Sequence, residues 1–382
     1  MSRLTLVLLL ASCGLAAAQP QPRITLDIGV PIPDGHIHMS WGNHKRLAIA
    51  PDGSLHALAN SFLVDPERGS EPTRDARVEL HAFAADGRAR FRTMLPVALP
   101  RQPFGFDMEA LGVGVLASGD TMVFLSTGDS GRGRRVYNSL YRVSSQGSAL
   151  QVATVAPADG GDSRQIFWTR TYLPTSDNGL LVGGAYGPNP YRWWFGKFAA
   201  DGRRLWQAGP GPSAREHVAA LAVRSDGIVV AIHSERRPGL AAEEWCLARF
   251  TSDGRLLDRT RLDRVGDGRL VAILPGSTVF LDDDEHELVQ VDDAGKVRSR
   301  VPWPYARTWS VIADGDGVAA IVCKEPEGNL CHVVRAKTDG TARWLTAPLT
   351  ATDIARMPDG QIAAVVWRDD ERAMRLMRFA AP

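Results

Sequence analysis

An all-β fold, a seven-bladed β-propeller of four-stranded antiparallel blades, is what this sequence predicts, and three observations carry the prediction. Strand-length apolar runs are split repeatedly by Asp-Gly, Asn-Gly or Pro-Gly, the strongest short-range hairpin signal a chain offers. The hairpins come in pairs, and the pairs recur roughly every 40–50 residues, the period of propeller blades. Helical periodicity is almost absent.

The clearest unit is YLPTSDNGLLVGGAYGPNPYRWWFGKFAADGRRLWQA, from Tyr172 to Ala208. Leu173 approaches a turn at Asp177-Asn178-Gly179, and Leu180-Leu181-Val182 leaves it. Trp193-Trp194-Phe195 then leads to Ala200-Asp201-Gly202, and Leu205-Trp206 follows. Two successive hairpins make one four-stranded unit. Across the chain, Gly53, Gly119, Gly179, Gly227, Gly276, Gly317 and Gly360 mark the first turns. Gly87, Gly147, Gly202, Gly254, Gly295 and Gly340 mark the second. Seven first hairpins against six second ones leave the last unit one strand short. The segment Ile24–Val30 (ITLDIGV) alternates like a strand but has no hairpin partner beside it. It is the spare strand, expected to complete the C-terminal blade and remove the free edges of an open array.

Repetition lets one architecture absorb all 382 residues. With 44 Lys+Arg against 43 Asp+Glu, the charge balance excludes a nucleic-acid binder or a polyacidic partner as the default reading. The N-terminus reads as an export signal: Met1-Ser2-Arg3, an apolar run Leu4 to Leu10, then small residues at Ala16-Ala17-Ala18. The expected organisation is a signal peptide over 1–18, a linker over 19–23 and a single propeller domain over 24–382. The alternative is a lipoprotein signal over 1–12, with Cys13 acylated. A periplasmic or secreted protein follows from the first reading, a membrane-anchored one from the second. Nothing after the signal approaches ~18 uninterrupted apolar residues, so no later transmembrane segment is expected. A monomer is expected.

Two units carry a more specific pattern. FGKFAADGRRLW (Phe195–Trp206) and VVRAKTDGTARW (Val333–Trp344) resemble the W-motif of quinoprotein-type propellers and related secreted bacterial repeat proteins. In that family a tryptophan four residues after the turn glycine docks between neighbouring blades. The resemblance implies a propeller with exported bacterial relatives. It does not carry the family's cofactor, because those enzymes use a vicinal cysteine pair and an acidic calcium site, and no adjacent cysteines occur here. No cofactor is expected.

Cys323 and Cys331 bracket the loop between the second and third strands of the sixth unit. A hairpin sets such positions opposite each other, so a disulfide is expected. Cys246, beside Trp245, reads as a small core residue. His36, His38 and His44 have the chemistry of zinc ligands, and the run Asp282-Asp283-Asp284-Glu285-His286-Glu287 that of a calcium loop. Neither has a metal-site signature around it, and no metal is assigned. No nucleophile elbow, phosphate loop, dinucleotide fingerprint or zinc-protease helix is present.

In a propeller, the loops joining fourth strand to next first strand, and second to third, share one face, and loops on a rigid scaffold carry function. The blade-joining segments contain Arg46, Arg101, Arg164 with Arg170, Arg215 with His217, Arg264, and Arg307 between Tyr305 and Trp309. The expected ligand-binding set is Arg101, Arg170, Arg215, His217, Tyr305, Arg307 and Trp309, a ring of guanidiniums suited to an anionic or carboxylate-bearing ligand. Exposed aromatics are expected at Trp168, Tyr186, Tyr191, Tyr305 and Trp309, a residue type enriched at interfaces. The function expected is an exported scaffold that binds a protein, peptide or glycan, with no catalysis identified. The alternative is a hydrolase or lyase with its site in the channel mouth, using residues such as His38, Asp107, His217, Asp282 or Asp353.

Overall fold

The computed structural model describes residues 20–32, 36–38, 45–64, 72–97, 106–129, 136–155, 167–186, 192–209, 215–236, 244–263, 270–282, 284–325, 331–368 and 373–382. Seven sheets form the ring. Blade one comprises β2 (His36–His38), β3 (Leu47–Ile49), β4 (Leu55–Val64), β5 (Pro72–Phe83) and β6 (Ala89–Met94), with β2 and β3 both paired to β4. Blade two is β7 (Phe106–Val115), β8 (Thr121–Asp129), β9 (Val136–Val143) and β10 (Ala149–Thr154). Blade three is β11 (Phe167–Pro174), β12 (Gly179–Tyr186), β13 (Arg192–Ala199) and β14 (Arg204–Ala208). Blade four is β15 (Arg215–Val223), β16 (Val229–Arg236), β17 (Glu244–Phe250) and β18 (Leu256–Arg261). Blade five is β19 (Leu270–Leu274), β20 (Ser277–Asp282), β21 (Glu287–Asp292) and β22 (Val297–Pro302). Blade six is β23 (Arg307–Asp314), β24 (Gly317–Cys323), β25 (Cys331–Lys337) and β26 (Ala342–Leu345). Blade seven joins β27 (Thr350–Arg356), β28 (Ile362–Arg368) and β29 (Ala373–Ala380) to the N-terminal strand β1 (Arg23–Gly29).

The spare strand therefore closes the ring. β1 runs antiparallel to β29, from Arg23 opposite Ala380 to Gly29 opposite Arg375. The inner strands β3, β7, β11, β15, β19, β23 and β27 lie side by side in that cyclic order, with β27 returning to β3. No helix occurs among the described residues. The segment with His36 and His38 is not a simple connector. It pairs with β4, His36 opposite Leu63, as an upper piece of blade one's inner strand.

One apolar cluster sits at each of the seven blade interfaces. The middle strands are apolar on both sides because each is covered by a blade on either side: every residue of β20 and of β24 is buried. Outer strands alternate instead, as β6 and β22 do, because one side faces solvent.

The turns explain why Asp precedes Gly so often. Ala50 N–H bonds Ser54 O, Gly53 N–H bonds Ala50 O (2.9 Å each), and Gly53 takes a φ of 81°. The Asp52 carboxylate then accepts the Ser54 amide at 2.9 Å, an Asx turn that uses the next free donor. Asp201, Asp226, Asp339 and Asp359 repeat that bond to the residue two places on. Two first turns differ from the glycine marking. In blade three Asn178, not Gly179, takes the left-handed conformation, and in blade six Gly315, not Gly317, does so. Asn tolerates that region better than most side chains, and Asp314–Gly317 is a tighter two-residue turn.

The two kinds of turn are under different constraints. A Cβ at Gly227, in a first turn, would meet nothing within 4 Å. A Cβ at Gly254, in a second turn, would stand 2.5 Å from the indole of Trp206, which belongs to the preceding blade. The same indole donates to Ser252 O at 2.9 Å. Each second turn seats on the outer strand of the blade before it: Gly87 on Leu26, Gly147 on Phe91 and Thr93, Gly202 on Val152, Gly295 on Thr260 and Arg261, Gly340 on Val301 and Pro302.

Cys323 and Cys331 face each other across β24 and β25 and form a disulfide. Cys246 is buried and free.

A polar chain crosses from blade one to blade two: Asp52 to Ser54 Oγ (2.6 Å), Ser54 to His56 Nε2 (3.3 Å), and His56 Nδ1 to Thr121 Oγ1 (2.8 Å). Burial, assisted by the charge of Arg90, lowers the His56 pKa to about 4. His56 is thus neutral in the folded state, while the unfolded chain takes up a proton below pH ~6.5.

Two predictions follow from these contacts. Gly227→Ala should cost about 1–2 kcal/mol for the left-handed backbone alone, and Gly254→Ala about 1–3 kcal/mol more for the displaced indole. Denaturant melts of both variants test this, and equal losses would refute the seating. Stability should be flat above pH ~6.5 and fall by about 2 kcal/mol by pH 5, levelling near pH 4, from His56. His56→Phe should lose that part of the pH dependence in melts at pH 7 and pH 5.

Candidate functional site

Strand alternation puts the first and second turns of every blade on one side of the disc, the turn face. The blade junctions and the connections between second and third strands lie on the other, the junction face. On the turn face many basic side chains pair with carboxylates. Arg90 pairs with Asp52 (3.1 Å), Arg142 with Asp120 (2.7 Å), Lys197 with Asp177 (2.5 Å) and Arg356 with Asp314 (2.9 Å). Arg335 also binds Asp314, Arg343 binds Asp316 and Arg224 reaches Asp293 of the next blade. Burial pushes the Asp177 pKa up, but the bonds from Lys197 and Thr175 outweigh it, and the net direction is downward.

Arg101, Arg164, Tyr191 and Arg264 lie outside the described residues, as do His44 and Asp283. Arg170 belongs to β11, Arg215 and His217 to β15, and Arg307 and Trp309 to β23, so five of the expected residues sit on inner strands. Arg215 is opposite Arg236 and His217 opposite Ser234. Arg46 is 4% exposed and so does not extend the ring. Tyr305 is 5% exposed, against the expectation of a surface aromatic. Its ring packs edge-on against Trp303 with centroids 5.0 Å apart, because the short junction after β22 folds inward to cap the core between blades five and six.

Arg307 and Trp309 are brought together. The exposed Arg307 guanidinium lies 3.6 Å from the centre of the Trp309 ring. Among the described residues Arg307 has no carboxylate partner, so its donors remain available beside an aromatic surface that desolvates one side of the charge. Trp309 is partly buried against the cluster between blades six and seven, and its indole N–H donates to Cys323 Sγ at 3.1 Å.

A feature the sequence did not reveal sets this geometry. Pairing of the inner strand with the second strand skips one residue in five blades: Leu111, Arg170, Ala219, Trp309 and Thr352. A bulge of this kind bends the strand and re-aims the side chain at that point. Arg170 and Trp309 therefore hold equivalent places on the ring. Two residues before each bulge the inner strands carry Glu109, Trp168, His217, Arg307 and Thr350. The only signal was spacing. Leu111, Arg170, Ala219 and Thr352 each precede their left-handed turn residue (Gly119, Asn178, Gly227, Gly360) by eight positions.

The acidic candidates divide. Asp353, 4% exposed, accepts the backbone amides of Arg46 (2.7 Å) and Leu47 (2.8 Å) and the Lys45 ammonium (3.3 Å). It ties blade seven to blade one. Asp282 ends β20, 1% exposed, and accepts the amides of Asp284 and Glu285 at 3.1 Å each, which makes the acidic run a folded turn. The side chains of His38, Asp107 and His217 lie outside the described residues. No cluster of three metal-ligating side chains occurs among the described residues.

No protein-family model and no curated protein matches the chain. Solved structures match it in fold. A streptogramin B lyase structure superposes with a TM-score of 0.53 at 12% identity, covering 93% of this chain and 97% of that one. A chain of a mitotic checkpoint complex gives 0.54 at 14% identity, with 100% and 98% covered. The propeller domain of the Trilobed protease from Pyrococcus furiosus gives 0.56 at 9% identity, with 92% and 95% covered. That domain has an open velcro topology, whereas β1 pairs with β29 here. Identities this low show a shared propeller fold and nothing about chemistry.

Removing the Asp353 carboxylate should act on folding. Asp353→Ala leaves the two buried amides of Arg46 and Leu47 without their acceptor, and Lys45 with only the Ile354 carbonyl, a loss of about 3 kcal/mol or more. Denaturant titration reads it, and an unchanged midpoint would release Asp353 for a catalytic role.

Proposed function

We propose that this chain is an exported binding scaffold whose junction face takes a carboxylate-bearing segment of a protein, peptide or glycan, with Arg307 as anchor. The observation that carries the reading is the contrast between faces. Most turn-face guanidiniums near a carboxylate are paired with it, while exposed Arg307 lies on Trp309 with its donors unclaimed by any described carboxylate. A planar guanidinium held by one face against an indole keeps its edge for bidentate contact with a carboxylate. Arg101, Arg170, Arg215 and His217 extend the same surface around the ring in this reading, and Tyr305 supports it from below. Export, with residues 1–18 as the leader or Cys13 as a lipid attachment point, is consistent with the Cys323–Cys331 disulfide, a bond kept in oxidising compartments. A hydrolase or lyase in the channel mouth is less well supported, because Asp353 is occupied at the closing seam.

Fluorescence anisotropy with a labelled hexaglutamate peptide and with an oligogalacturonate tests the reading. Arg307→Glu should weaken binding of the better probe by about tenfold, the loss of one charge-assisted pair, and reduce its salt dependence. Arg203→Glu, on the turn face, should change little. Equal effects from both substitutions, or no binding of either probe, would overturn the proposal.

A further inference from the structure

The disulfide does more than join two strands. Cys323 O accepts the amide of Ala306 at 3.0 Å, and Cys323 Sγ accepts the indole N–H of Trp309 at 3.1 Å. The segment from Trp303 to Trp309, which leads into blade six, is thus fastened to one half of the bridge. The other half holds the segment that leaves the blade. Cys331 N–H bonds Leu349 O at 3.0 Å, and Leu349 N–H bonds Cys331 O at 2.7 Å. Two junction segments that flank a blade are tied, through one covalent bond, to each other. Among the described residues no other blade has such a link.

The sulfur also contacts the one residue of β23 that the ladder does not hold. Trp309 is the bulge residue: Thr308 pairs with Val322 and Ser310 with Ile321, leaving Trp309 without a cross-strand partner position. A bulged residue has its backbone direction set by the bulge, and its ring orientation needs a separate restraint. The bond to Cys323 Sγ is that restraint. The stack of Arg307 on Trp309 then depends on it.

We infer that the Cys323–Cys331 disulfide is a positioning clasp: it couples the two junction segments of blade six and aims the Trp309 ring that supports Arg307. This rests on the Arg307 surface being the binding surface, but the mechanical part stands without any ligand. A bridge that served stability alone would act on the blade as a whole. A clasp acts on one end of it.

Hydrogen–deuterium exchange of the ligand-free protein separates the two. In a Cys323→Ala/Cys331→Ala variant, residues 303–309 and 346–349 should both exchange about tenfold faster or more, while the turns at 313–318 and 337–341 keep their protection. Faster exchange at both ends of the blade, or unchanged exchange at 346–349, would overturn the inference. Trp309→Phe keeps an aromatic ring but loses the N–H, and serves if the cysteine variant does not fold. It should loosen 303–309 with the disulfide intact, and no loosening there would also overturn the inference. With the hexaglutamate probe, the cysteine pair and Trp309→Phe should each weaken binding about fivefold, and the triple variant little further, because they break one linkage. Full additivity would separate the sulfur from the ring and refute the aiming role. Localised loosening in a protein that never binds hexaglutamate would support the clasp and discard the ligand reading.

Discussion

Two-sided burial of the middle strands governs the structure. A strand such as β24, apolar along its whole length, is stable only with a sheet packed on each side, and a linear stack of blades would leave two such faces open. Closing the ring covers both. Much else serves that closure. The outer strand of each blade gives the next blade's second turn a seat, and a Trp206 or an Arg261 carbonyl lies where a Cβ would otherwise be. Hydrogen bonds follow the same direction: Thr93 to Gly147 O, Trp206 to Ser252 O, Arg249 to Asp293 O and Arg378 to Ala85 O. Four blades thus brace their successors with directional bonds as well as apolar contact.

The seam between blades seven and one carries more polar linkage than burial alone requires. Asp353 grips three donors across it. Glu79, buried in blade one, holds Arg92 through both oxygens at 2.9 Å and lies 3.4 Å from His81. Burial works to raise the Glu79 pKa, yet His81 and Arg92 bring the net direction below the ordinary range. Non-local closure is costly in chain entropy, since β1 and β29 lie at opposite ends of the sequence. Polar bonds across that pairing reinforce its register, Arg375 to Asp27 at 2.8 Å and Arg378 to Thr25 Oγ1 at 3.0 Å, where no hairpin turn does so.

The architecture was legible because its signals are local. Asp-Gly turns, strand-length apolar runs and a spare N-terminal strand are properties of neighbouring residues, and blade number, closure and the cysteine pairing follow from them. Turn detail was legible only in part: Asn178 takes the left-handed place that Gly53 holds in a turn of the same length, so Gly179 marks the turn from one position later, and blade six closes with a shorter two-residue turn in which Gly315 takes it. Burial of Tyr305 was hidden, as its junction has the composition of a surface loop but turns inward onto Trp303. The bulges were hidden for a deeper reason. A bulge is a relation between two strands, and nothing in FWTRTYLP alone shows that Arg170 is the residue left over. Asp353 looked like any channel-mouth carboxylate until the amides of Arg46 and Leu47 were found on it.

Those bulges have an evolutionary consequence. Because the extra residue is left out of the ladder, its identity is released from the demands of strand pairing, and the chain uses leucine, arginine, alanine, tryptophan and threonine there. Selection can therefore rewrite one level of the ring by point substitution while the scaffold beneath it keeps its register. A laboratory library at Thr352 would explore the same freedom, whereas Ala219 packs against the core between blades four and five and admits larger side chains only at a cost in packing.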